Sequence, residues 1–287
     1  MWTIRRSECP TSPTVAAMTL QSGFARSGTA DIYFEEAGEG RAVVFCHAGV
    51  SDRRLWDPQF EARLQDHHYV RSDMRGFGNS EWVAEPYSPH GDILAVVDHL
   101  GLEDMILVGC SMGGRAVMEL AVTIPERVAG ILVSGSGLPG WEPEDGGYTP
   151  PQWANLDPLW EAEDWDAIAR IDAEVWAIGV GREESDVDPE FIAKMVEMDL
   201  KPIKTELERD EHMTWLEPPI SGRIDEIGAP AVVVVGEHDL PDLVTSTAHL
   251  AERLGADRHV LPGTAHRPSL ETPEQFNRVL EAFLGSL

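Results

Sequence analysis

Cations are scarce in this chain of 287 residues: 22 Lys and Arg stand against 50 Asp and Glu, for a formal net charge of −28. A polyanion repels a chain so negative, which argues against nucleic acid and anionic membrane surfaces as partners. It also weighs mildly against strongly anionic substrates. Cysteine is scarcer still. Three residues make no disulfide framework, and no C-x-x-C or clustered Cys/His spacing points to a metal. No apolar run is long enough to span a membrane. Arg5 and Arg6 are followed by Pro10 and Pro13 rather than a sustained apolar segment, so no secretory signal is expected. Internal repeats and low-complexity tracts are absent. The expected setting is cytoplasmic, with a small-molecule substrate as partner, no cofactor, and room for a homodimer.

With 43% hydrophobic residues, the chain can bury one large core, as one domain or one domain with an insertion. Residues 1–20 read as a poorly ordered leader, with Met18 as an alternative start. Strands are expected at 24–27, 31–36, 42–46, 69–73, 105–108, 130–134, 231–235 and 258–261, on their apolar and β-branched runs. Helical spacing falls between them at 92–100, 115–122, 246–254 and 273–284. Such alternation means an α/β fold: a mostly parallel sheet with helices on both faces.

Residues 139–217 break the alternation. Helical patches at 160–171 and 189–196 appear without a buried strand, and the stretch is rich in Asp and Glu. It also holds six of the nine tryptophans: Trp141, Trp153, Trp160, Trp165, Trp176 and Trp215. An acidic outside with an aromatic underside suits a helical cap over a pocket, although the tryptophans could equally serve only to pack the insertion. The core is then 21–138 and 218–287. Carboxylates on such a cap are expected to oppose a negatively charged substrate.

The chain is organised around Met105-Ile-Leu-Val-Gly109-Cys-Ser111-Met-Gly113-Gly114. An apolar strand runs into Gly-x-Ser-x-Gly, and a helical pattern follows. By itself the pentapeptide is also a common bare turn. Between strand and helix it fits a sharp turn that lifts a serine hydroxyl clear of the sheet.

Three further stretches join it: His47-Ala48-Gly49, Asp73-x-Arg75-Gly76-x-Gly78-x-Ser80, and a late His266 between the last strand and last helix. Together these make residues 22–287 resemble an α/β-hydrolase with a helical cap, similar to small esterases, 3-oxoadipate enol-lactonase-like lactonases and carbon–carbon bond hydrolases. The resemblance implies that Ser111 is a nucleophile, His266 its base and Asp239 the acid that orients the histidine. Asp239 ends the Gly236-x-x-Asp239 pattern after an apolar strand; Asp242 and Glu237 are its alternatives. It also implies an oxyanion hole from the N–H groups of Met112 and Gly49, with Val50 as the adjacent option. Val50, Trp141, Trp176 and Leu240 are the expected substrate contacts. His47, Asp73 and Arg75 are expected to brace loops, and Cys46 and Cys110 to be small buried thiols. The implied activity is serine hydrolysis of a small to medium, mostly apolar ester or lactone. Carbon–carbon bond hydrolysis and receptor-like ligand binding on the same scaffold are the alternatives.

Overall fold

The computed structural model describes residues 20–62, 66–144 and 146–287. The expected leader lies almost wholly outside them. Eight strands form one sheet: β1 (Gln21–Ser27), β2 (Ala30–Ala37), β3 (Ala42–Cys46), β4 (His68–Ser72), β5 (Met105–Cys110), β6 (Val128–Ser134), β7 (Ala231–Gly236) and β8 (Asp257–Leu261). Their spatial order is β1-β2-β4-β3-β5-β6-β7-β8. The β1–β2 and β2–β4 pairs are antiparallel, and every other pair is parallel. The expected mostly parallel sheet is therefore present, and each strand lies within a few residues of its expected place.

Alternation along the central strands feeds two cores, one per face. Val44, Leu107, Ile131, Val133 and Val233 point to one side. There they meet α2 (Pro89–His99), α3 (Met112–Thr123) and α8 (Pro241–Leu254), through residues such as Ile93, Val117 and Leu250. Val43, Phe45, Ile106, Val108, Leu132 and Val234 point to the other side. Phe60 of α1 (Asp57–Ala62) and Phe276 and Leu280 of α10 (Pro273–Leu284) cover them.

Between β6 and β7 the described residues contain no strand. They form α4 (Leu156–Ala162), α5 (Trp165–Ala173), α6 (Pro189–Asp199) and α7 (Glu206–His212). The helix expected at 160–171 is thus two. Glu163 takes a left-handed conformation at φ 53°, and the Asp164 carboxylate accepts the Ala167 N–H at 3.2 Å, starting a new helix. Periodicity alone concealed the break, because Trp160 and Trp165 pack edge to face across it at 5.6 Å. Elsewhere α8 starts earlier than expected, at Pro241, where a proline fits the first helical turn.

Candidate active site

β5 delivers Ser111 to the top of the sheet, where it stands at φ 52° and ψ −115°. Among the described residues only Ser111 and Glu163 are non-glycine residues with positive φ. The Ser111 N–H donates to Ser134 O at 2.9 Å, and its carbonyl accepts the Arg115 N–H at 3.0 Å, so strand β6 and helix α3 hold the turn from both sides. The flanking glycines are required by close backbone approach. A Cβ on Gly109 would fall 2.3 Å from Gly113 O, and one on Gly113 would fall 2.3 Å from Cys46 O.

His266 and Asp239 arrive on separate loops. His266 lies between β8 and α9 (Pro268–Glu271), and Asp239 follows β7. Both are almost fully buried. His266 Nδ1 lies 2.9 Å from Asp239 Oδ2 and 3.0 Å from Oδ1. A carboxylate only accepts, so Nδ1 carries the proton and a neutral ring leaves Nε2 as a lone pair. Asp239 Oδ1 also accepts the Leu240 N–H at 2.8 Å, which holds the carboxylate in place. No hydrogen bond joins Ser111 Oγ to His266 among the described residues. Such bonds commonly close only once substrate is bound. Cys110 Sγ approaches His266 O at 3.7 Å, so the two loops do meet beside the serine.

The segment between α5 and α6 reaches down to these loops. A wide helical turn, Glu174–Ile178, places Trp176 so that its carbonyl accepts the His266 N–H at 3.3 Å and its ring lies 4.5 Å from the imidazole. One step on, the Val180 N–H donates to His238 O at 2.8 Å. The acid loop and the histidine loop are therefore both tied to one turn of the helical insertion.

Gly49 sits against Met112, with its ideal Cβ position 3.9 Å from the methionine Cβ and Sδ. No protein acceptor takes the N–H of either residue among the described residues. His47 braces their loop: its Nδ1–H donates to Ala48 O at 2.8 Å, and its Nε2 accepts the Met74 N–H at 3.0 Å. Burial holds that imidazole below its usual range, so it stays neutral. The Asp73 carboxylate accepts from the Arg53 N–H, Arg53 Nη1 and the Asn79 N–H, and Arg75 bridges Glu85 and Asp92. Burial pushes the Cys46 thiol up, and that of Cys110 up to about 12, so neither is a nucleophile near neutral pH.

Ser111 and Met112 open on a cavity of about 750 Å³, a volume typical of small-molecule sites. Its wall is mixed, with Leu138, Trp141, Trp215, Ile220 and Leu243 beside the polar Ser136, Ser221 and Ser246. Of the four expected substrate contacts, Trp141 lies on this wall, and Trp176 and Leu240 lie against His266 and Asp239. Val50 instead borders a small buried void beside Arg267, whose Nη2 lies 3.5 Å from Val50 O. The described acidic residues of 139–217 do not line this wall. Among the described residues its charged side chains are Arg115 and Asp242, one of each sign. Sequence reading missed Arg115, although it lies in the first turn of the helix that follows Ser111. Trp215 was noticed only as one tryptophan among six. Among the described residues no group of three or more His, Cys, Asp or Glu is placed to hold a metal ion, and no helix is long and apolar enough to cross a membrane.

A family model described as the alpha/beta hydrolase family matches residues 43–279. The 3-oxoadipate enol-lactonase 2 of Acinetobacter baylyi is 25% identical over 275 residues, covering 94% of this chain and 96% of that protein. The putative carbamate hydrolase RutD of Azorhizobium caulinodans is 32% identical over 126 residues, but these span only 43% of this chain and 46% of that one. A solved structure described as "Est816 as an N-Acyl homoserine lactone degrading enzyme" superposes with a TM-score of 0.74 at 27% identity, covering 91% of this chain and 100% of the other.

Proposed function

Because the chain belongs to the alpha/beta hydrolase family, we propose that it is a serine hydrolase that cleaves a small to medium, mostly apolar carboxylic ester or lactone through an acyl-enzyme on Ser111. Residues 139–217 act as its cap, and 21–138 with 218–287 as its catalytic core. The observation that carries the reading is Ser111 itself, held in a strained conformation at the wall of a 750 Å³ cavity. Strain of this kind costs roughly 1–3 kcal/mol and is retained where it aims a reactive group.

In the proposed cycle Ser111 Oγ attacks the substrate carbonyl carbon while His266 Nε2 accepts its proton. The oxyanion forms against the free N–H groups of Gly49, in the loop after β3, and of Met112, at the start of α3, where the helix dipole also favours negative charge. Collapse breaks the C–O bond, and the leaving alkoxide takes the proton from His266. For a lactone this alcohol remains tethered to the acyl group. His266 then draws a proton from water, the resulting hydroxide attacks the acyl carbon, and Ser111 Oγ leaves with that proton as the acid is released. Asp239 holds the imidazole with Nδ1–H inward and stabilises the imidazolium.

The test is p-nitrophenyl ester hydrolysis with rapid-quench mass spectrometry. A burst is expected with an acyl adduct on the Ser111 peptide, and Ser111→Ala is expected to lose roughly three orders of magnitude or more in kcat/KM. Turnover above about a tenth of wild type in that variant would take Ser111 out of the mechanism.

A further inference from the structure

Arg115 lies one helical turn beyond Ser111 and shares its cavity. Ser111 caps α3, and its carbonyl accepts the Arg115 N–H at 3.0 Å, which sets the two residues one turn apart. Its guanidinium is held on two sides. One face lies 3.8 Å from the Trp215 ring centroid. Its Nε–H donates to Glu119 Oε1 at 3.1 Å. Glu119 is fully buried and anchored in turn, because its Oε2 lies 2.7 Å from His90 Nδ1 and accepts the Leu216 N–H at 3.3 Å. Stacking and one edge bond fix the plane of the group, which spares much of the entropy usually lost when a long side chain binds a ligand.

What remains is the outer edge. Nη1 and Nη2 have no protein acceptor among the described residues. Asp242, the other charged residue on this wall, has its Oδ2 occupied by the Tyr148 N–H at 2.7 Å. A pre-oriented guanidinium with a free two-nitrogen fork matches a planar anion with two oxygens.

The structure assigns Arg115 as the recognition group for a carboxylate on the substrate, which Nη1 and Nη2 hold as a bidentate pair while the reacting carbonyl sits at Ser111. The second half of that statement rests on the hydrolase reading; the carboxylate subsite does not. The substrate is then an apolar ester or lactone that also carries a free carboxylate, within about one helical turn of the bond being cleaved. A structural role alone, Arg115 merely pinning Trp215, makes a different prediction: its loss would lower turnover of charged and neutral substrates alike.

Two measurements separate these. The first compares kcat/KM for mono-p-nitrophenyl adipate and for its neutral methyl-capped diester. Arg115→Met is expected to lower the ratio of charged to neutral substrate at least tenfold, and Arg115→Lys, which keeps the charge but not the fork, to lower it several-fold. An unchanged ratio in both variants overturns the assignment, whatever happens to absolute rates. The second titrates wild-type protein calorimetrically with 4-phenylbutyrate and with 4-phenylbutyramide, and needs no turnover. The acid is expected to bind at least tenfold more tightly than the amide, with the preference lost in Arg115→Met; equal affinities, or no binding of either at millimolar concentration, overturn the subsite. Should Arg115→Met fail to fold, Arg115→Lys and the wild-type titration still decide the matter. A carboxylate preference without ester turnover sinks the hydrolase reading and leaves the subsite standing. Turnover with an unchanged ratio does the reverse.

Discussion

At the Ser111 turn, backbone packs on backbone, which leaves no room for a side chain where glycine stands. A methyl group at Gly113 would meet Cys46 O at 2.3 Å and His47 O at 2.5 Å, and neither carbonyl can swing aside as a flexible side chain could. Gly113→Ala is therefore expected to cost about 2–3 kcal/mol in urea unfolding, at the upper end of ordinary overpacking. A loss under about 0.5 kcal/mol would mean that the turn is more pliant than its geometry implies. The acid can be tested at the same scale. Asp239 touches His266 through both oxygens, whereas Asp242 accepts from the Tyr148 backbone at the cavity rim. Asp239→Asn is expected to lower kcat roughly a thousandfold or more while the melting temperature changes little, because the amide favours the wrong imidazole tautomer. Asp242→Asn should cost far less. Comparable losses in the two variants, or the reverse order, would place the acid elsewhere.

Helices α5 and α6 meet through a pair of carboxyls, Asp172 and Asp199, packed beside the buried Arg267 that follows His266. Burial pushes both pKa values up, and the Asp172 carboxyl raises that of Asp199 further, to about 9, so the folded state holds a proton that the unfolded chain would release. The folded state thus binds more protons than the unfolded one, and stability declines as pH rises. The contribution is full below the ordinary carboxylate range, near pH 4, and is lost progressively above it. Asp199→Asn keeps the shape without the charge. It is expected to flatten the fall of melting temperature between pH 5 and pH 9 of about that range, with the variant overtaking wild type on the alkaline side. Parallel curves would show that Asp199 does not hold its proton above the ordinary carboxylate range. The same helices explain why the aromatic underside was only partly legible. Trp160 and Trp165 pack on each other, Trp153 and Trp176 form a second pair at 6.2 Å, and only Trp141 and Trp215 of the six reach the cavity wall.

For the whole molecule the dominant quantity is its net charge of −28. Self-repulsion at that level destabilises the compact state, and it acts over distances that salt shortens from about 30 Å at 0.01 M to about 10 Å at 0.1 M. Raising NaCl from about 10 mM to about 300 mM is therefore expected to raise the melting temperature by about 2–4 °C, the shift that roughly 1 kcal/mol produces in a chain somewhat smaller than this one. A fall instead would mean that attractive ion pairs, such as Arg75 with Asp92 and Arg53 with Asp73, outweigh the net repulsion.

The sequence by itself determined the sheet, its flanking helices and the strand–turn–helix around Ser111. Each of these follows from local pattern: apolar β-branched runs buried on both faces, helical spacing after them, and glycines where backbone must approach backbone. Its resemblance to α/β-hydrolases also pointed to Asp239 and His266, which follow β7 and β8 in the chain. Only the tertiary structure decided what surrounds them. It brought Trp176 onto His266, kept the described acidic residues of 139–217 off the cavity wall, and laid Trp215 across Arg115 from a hundred residues away. The chain puts Arg115 in the first turn of α3, next to Ser111, but no local signal says which part of the chain returns over that turn. That depends on how the helices between β6 and β7 pack on one another, a sum of many small contacts between residues distant in sequence, each of which exists only once the fold has formed.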